Sequence, residues 1–135
     1  MSRVFFIFIL LYGALFGFSI EKDYDTAHKK ALAEEKILLV FLTKKRCSYC
    51  NKELQKLFAD EETAALINEY AVFTVVTKGQ KASYPIEMLY SDRYPSLFFL
   101  DKNELFTCEA LRGVIAPKKI EECLHVSDGL HVKRD

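Results

Sequence analysis

The sequence predicts a single α/β domain, and three observations carry that reading. Ile37–Leu42 is a continuous apolar run, too short for a typical helix and suited to a strand buried on both faces of a helix-covered sheet. Ala71–Thr77 is β-branched and aromatic and reads as a second buried strand, and Ser96–Leu100 as a third. Helical patterns occupy the stretches before and between the first two runs. A chain of 135 residues leaves room for one such domain and little more.

The elements follow in order. Asp25 is placed to cap a helix through Ala27, Ala31 and Leu32, with Lys29, Lys30, Glu34 and Glu35 on its wet side. After the first strand, Lys44-Lys45-Arg46 ends the apolar run. A helix is expected from about Ser48 to Phe58, with Leu54, Leu57 and Phe58 as its apolar stripe. Asp60 caps the next, which has Glu61 and Glu62 in its first turn. Lys78 to Tyr94 reads as a loop with a short helix near Ile86–Leu89. Asp101 to Glu104 supply turn residues, so Leu105 to Leu111 pairs back as a hairpin. Gly113 breaks that strand. Pro117 suits the first turn of a last helix, with Ile120, Cys123 and Leu124 on one face. Residues from His125 onward read as a frayed tail, and the three histidines as surface residues.

Ahead of these elements, Arg3 precedes an uncharged stretch from Val4 to Ile20, and Gly17-Phe18-Ser19 offers small residues at a cleavage site. This reads as a signal peptide over residues 1–19 before a domain spanning 20–135. The alternatives are an uncleaved anchor through residues 4–20 and a buried core helix. The run gives roughly 26 Å of helix, short of the ~30 Å hydrocarbon core. The signal-peptide and anchor readings both place the domain outside the cytoplasm, in a periplasm or comparable compartment. The 19 basic residues equal the 19 acidic ones, which gives no electrostatic case for a nucleic-acid partner.

Cys47-Ser48-Tyr49-Cys50 lies where a buried strand meets a helix. A first cysteine at that junction faces unpaired N–H groups and the positive end of the helix dipole. The thiolate is the nucleophile in disulfide exchange, and a free thiol near ~8.5 is only slightly ionised at neutral pH. The junction and the neighbouring Lys44, Lys45 and Arg46 favour the thiolate, so Cys47 reads as nucleophile and Cys50 as resolving thiol. Haem attachment needs a histidine where Asn51 stands. Zinc needs two more ligands, and only Cys108 and Cys123 remain, far along the chain in regular elements. Hence no metal and no cofactor is expected.

With these residues in hand, the chain resembles the thioredoxin superfamily from roughly Tyr24 to Leu124. The resemblance rests on ILLVFLT, the Cys47–Cys50 motif, Tyr94-Pro95 leading into SLFFLD, and Arg112-Gly113 before the last helix. It is greatest to exported thioredoxin-related proteins, which share the helix break and restart around Phe58 to Leu66. The resemblance implies a thioredoxin-like fold, a central mixed β-sheet flanked by helices on both faces. It also implies a cis bond before Pro95, beside the active pair, with Tyr94, Pro95 and Tyr49 meeting substrate. Three departures stand out. Arg46 replaces the family's tryptophan, Ser48-Tyr49 replaces Gly-Pro, and Phe41 occupies the place of the buried aspartate. Glu53 is an alternative carboxylate base, although its simpler reading is a solvated helix residue.

Two functions follow. The first is an extracytoplasmic thiol–disulfide oxidoreductase acting on protein or peptide substrates as a monomer. Within it, a reductant fed by a membrane electron donor is favoured, since export exposes the pair to an oxidising compartment. The second is a thioredoxin-fold binding module that docks a partner without turnover. The resemblance also brings the last helix close to the Leu105–Leu111 strand, where Phe106, Cys108 and Ala110 share one face by strand alternation. Cys108 and Cys123 then form either a structural disulfide, worth roughly 3 kcal/mol over a loop of about 15 residues, or two buried thiols.

Overall fold

The computed structural model describes residues 18–80 and 89–133, with side chains as far as His125. Residues 1–17 of the expected leader lie outside this range, as do residues 86–88 of the short helix expected there. Leu89, the last residue of that segment, is buried and not helical.

Five strands form one mixed sheet in the order β1-β3-β2-β4-β5. They are β1 (Ile20–Glu21), β2 (Ile37–Thr43), β3 (Ala71–Thr77), β4 (Ser96–Leu100) and β5 (Phe106–Arg112). β1 and β2 each run parallel to β3, whereas β4 is antiparallel to both β2 and β5. The helices are α1 (Tyr24–Glu34), α2 (Ser48–Ala59), α3 (Glu61–Tyr70) and α4 (Pro117–Lys133). The expected α/β class, with helices on both faces of a mixed sheet, is therefore the observed one.

Alternation along β2 divides the core in two. Leu38, Val40 and Leu42 join Phe98 and Leu100 beneath Tyr24, Ala27 and Ala31 of α1. Leu39 and Phe41 join Phe73, Leu97 and Phe99 beneath α2, α3 and α4, with Leu57, Ile67, Ile120 and Leu124 covering them. Nearly all of β2 and all of β4 is buried, which is why those segments lack polar alternation.

Several boundaries differ from expectation. The cap of α1 is Asp23, whose Oδ1 accepts the Thr26 N–H at 2.7 Å; Asp25 lies in the first turn and pairs with Lys29 instead. The Thr26 N–H, then its hydroxyl, hold the Asp23 carboxyl below its ordinary 3.8. The cap's contribution is thus complete above that value and is lost as pH falls through the lowered one. Leu32, expected on the apolar face, is exposed. The last helix continues to Lys133, so the expected tail is helical for most of its length. His28 is half-buried, with Nδ1 3.3 Å from Glu104 Oε1, rather than a surface residue.

β5 contains the largest correction. Its pairing with β4 shifts register twice, with Leu97 opposite Leu111, Phe99 opposite Cys108, and Leu100 opposite Phe106. Phe99 and Leu100 point to opposite faces, so Cys108 and Phe106 do too, contrary to plain strand alternation. Phe106 stacks on Phe98 on the α1 side, while Cys108 packs on the side of α4. There its sulfur is bonded to that of Cys123, with the Cα atoms 5.7 Å apart.

Phe18 is also part of this core. Its ring stacks on Phe58 at 4.2 Å between centroids and tilts against Phe73 at 4.7 Å. β1, just after it, extends the sheet beside β3. Cleavage after Ser19 would remove that ring. In the chain that retains it, Phe18→Ala should lower urea-unfolding stability by about 3 kcal/mol. An unchanged midpoint would show that the ring contributes no packing energy.

Candidate functional site

The site is built at the end of the sheet where β2 and β3 finish and β4 starts. Thr43 ends β2 opposite Thr77, the last residue of β3. The Lys78 N–H donates to the Thr43 carbonyl at 2.8 Å and holds the two strand ends together. The chain then turns through Lys44–Arg46 into α2. Arg46 takes a left-handed conformation, φ 59°, which costs a non-glycine residue about 1 kcal/mol or more. That turn brings the chain from a buried strand to a helix start within three residues.

Cys47 is the N-cap of α2. Its Sγ takes the position of a capping oxygen and accepts the Cys50 N–H at 3.1 Å. The sulfur therefore lies against the N–H groups that a helix leaves unpaired. Cys50, one turn inside, has no exposed surface. The two sulfurs are bonded, with Cα atoms 5.2 Å apart. Cys47 is half-buried and Tyr49 is 45% exposed, so the pair opens to solvent on the Cys47 side only.

The segment before β4 borders this end. The Tyr94–Pro95 peptide bond is cis, and the Pro95 carbonyl accepts the Gly113 N–H at 2.8 Å. Gly113, φ 79°, can adopt this left-handed turn without a side-chain clash. Ser96 Oγ lies 2.7 Å from both Ser91 Oγ and the Arg93 carbonyl, a buried contact that pins the approach to Pro95. Since Leu42 pairs with Ser96, Pro95 follows next to the end of β2. Lys44 Nζ stands 5.4 Å from the Tyr94 ring centroid, and Lys78 Nζ 5.6 Å.

Glu53 is not the solvated residue that its simpler reading implied. It is 3% exposed, and it is the one charged side chain buried among the described residues. Oε2 accepts the Ile115 N–H at 3.2 Å, and Oε1 pairs with Lys56 Nζ at 3.2 Å. The buried face of α2 consists of Cys50, Glu53 and Leu57, with Leu54 and Phe58 at its margin. The spacing i, i+3, i+7 from Cys50 was the available signal, and the polarity of glutamate hid it. Phe41 is 1% exposed beneath this region.

Cys108 on β5 and Cys123 on α4 lie apart in sequence from the Cys47–Cys50 end. Among the described residues no group of three or more His, Cys, Asp or Glu is placed to hold a metal ion.

Removing the Glu53 carboxylate leaves the Ile115 N–H buried without its acceptor. Glu53→Ala should therefore destabilise the domain by about 1–3 kcal/mol, whereas Glu53→Gln, which keeps an acceptor oxygen, should recover most of that. Equal losses for both variants, measured by chemical denaturation, would count against the Ile115 bond as the cause.

Comparison with known proteins agrees with this geometry. No curated protein sequence matches the chain. Among solved structures, a thioredoxin from Thermus thermophilus aligns with a TM-score of 0.63 at 16% identity, covering 78% of this chain and 84% of that one. A putative disulphide-isomerase from Bacteroides thetaiotaomicron gives 0.64 at 20% identity, covering 83% and 94%. A DsbH oxidoreductase gives 0.57 at 15% identity, covering 81% and 85%. At such identities the likeness establishes the fold. The sequence itself supplies the rest, since a thioredoxin-like family profile matches residues 19–102, more than half of the chain, and the protein accordingly belongs to the thioredoxin-like family.

Proposed function

We propose that this protein is a thiol–disulfide oxidoreductase working through Cys47 and Cys50, outside the cytoplasm, mainly as a reductant of protein disulfides. The observation that carries the reading is Cys47 Sγ at the helix N-cap, with Cys50 buried one turn behind it. An N-cap donor and the helix dipole stabilise negative charge on that sulfur, the charge a nucleophilic thiolate carries.

In the reduced protein, the Cys47 thiolate attacks one sulfur of a substrate disulfide. The substrate S–S bond breaks, a mixed disulfide forms, and the other substrate sulfur leaves as a thiolate. Cys50 then loses its proton and attacks Cys47 Sγ. The second substrate sulfur leaves, and the Cys47–Cys50 disulfide closes. Two electrons pass to the substrate, and a thiol reductant or a membrane electron donor must return them.

Cys50 has no exposed surface, so its proton needs an acceptor inside the protein. Glu53 is one turn further along the same buried face, where side chains i and i+3 start about 5–6 Å apart. Each carboxylate oxygen keeps a lone pair beyond its bonds to Lys56 and Ile115. Glu53 thus takes the role that Phe41 cannot. Tyr49, Tyr94 and Pro95 form the rim against which substrate backbone rests. Cys108–Cys123 ties β5 to α4 and takes no part in the exchange.

Two features support an extracytoplasmic site: the apolar run over residues 4–20, and a second cysteine pair at bonding distance, since such bonds persist in oxidising compartments. Phe18 in the core favours the anchored form over cleavage after Ser19. The protein acts as a monomer.

The test is insulin reduction with a thiol donor. The wild type should accelerate it, and Cys47→Ser should abolish the acceleration. A docking module would show equal background rates for both. A thiol count after mild reductant should find two reactive groups, at Cys47 and Cys50. Four would show that Cys108 and Cys123 do not hold a stable bond.

A further inference from the structure

The chain is neutral overall, yet the end carrying Cys47 is not. Lys44, Lys45 and Arg46 follow β2, Lys78 follows β3, Arg93 precedes β4, and Arg112 closes β5 opposite Ser96. All six are exposed. Asp92 lies beside this cluster and Glu53 is buried on α2 behind Cys50; among the described residues no ion pair joins any of the six cations. The ion pairs of the described residues lie elsewhere, along α1, within α2 and on α4. Glu34, Glu35, Asp101 and Glu104 sit at the opposite end, where β2 begins and β4 finishes.

Two of the cations are placed with particular effect. Lys44 and Lys78 come from different strands, and both ammonium groups approach the ring of Tyr94, the residue before Pro95. Two like charges flank one ring beside the proposed substrate rim, and among the described residues no ion pair neutralises either. An aromatic face attracts each cation, but it leaves their mutual repulsion unneutralised. A negative side chain on a bound partner would neutralise both.

We infer that the preferred substrates are protein disulfides flanked by acidic residues, with Lys44 and Lys78 as the specificity-determining contacts. This rests on the proposed exchange at Cys47 and names its substrate class. Positive potential over the site raises the encounter rate of acidic partners and lowers that of basic ones, and salt screens both effects.

The test uses three synthetic peptides, each with one disulfide, identical except for flanking Glu, Gln or Lys. Each is reduced by the reduced full-length protein at low salt and at ~1 M salt, where the Debye length falls to about 3 Å. The Glu peptide should react about tenfold faster than the Lys peptide at low salt, and the ratio should shrink to about twofold at high salt. The variant carrying Lys44→Glu and Lys78→Glu should abolish or invert the ratio. A ratio between peptides cancels any change in the reactivity of Cys47 itself. Reduction of all three at one rate overturns the inference and leaves the oxidoreductase reading standing. Failure to reduce any of them defeats that reading, and the inference with it. Sedimentation with anionic lipid vesicles without any peptide preference assigns the basic end to a membrane surface and likewise overturns the inference.

Discussion

The proposed chemistry of this protein depends on one hydrogen bond, from the Cys50 N–H to Cys47 Sγ at 3.1 Å. It makes a sulfur the cap of α2 and so places a potential thiolate where a helix attracts negative charge. That placement is not a property of the two cysteines alone. β2 must end at Thr43, held there by pairing to β3 on one side and β4 on the other. Arg46 must then accept a left-handed backbone so that the helix can start at Ser48. The buried strands fix one side of this turn. Cys50 and Leu57, packed into the core, fix the other.

The same packing explains the position of the buried carboxylate. Phe41 fills the strand position beneath the pair and adds to an aromatic core with Phe73 and Phe99. A charge there would lack a partner in this apolar setting, and isolated buried charge is costly. Glu53 on α2 is tolerated because Ile115 N–H and Lys56 Nζ bind its two oxygens. Its place on the helix sets it on the inner face with Cys50. It also links α2 to the turn before α4, which brings the final helix and the Cys108–Cys123 bond into the same packing unit.

The fold was legible where local pattern and burial agree. β2, β3 and β4 were evident from their apolar runs, because strands buried on both faces have nothing polar to conceal them. The Cys47–Cys50 site was evident from its place between such a strand and a helix. Legibility failed where tertiary context decides. The two register shifts in β5 turn Cys108 away from the face it would share with Phe106, and no residue in that strand signals them. Asp23 and Asp25 are both plausible caps, and only the backbone geometry selects Asp23. β1 is two residues long and Phe18 lies within the run that reads as a leader, so that reading hid their seats beside β3.

The central claim is that folding activates Cys47 and shelters Cys50. It is tested most directly by iodoacetamide labelling of the reduced protein at mildly acidic pH, folded and in urea, with the site of modification read by mass spectrometry. The helix cap predicts that Cys47 reacts first in the folded protein and faster than it does in the unfolded chain, while Cys50 is protected until the protein unfolds. A folded Cys47 that reacts more slowly than the unfolded one, or a Cys50 that is labelled first, would contradict the account.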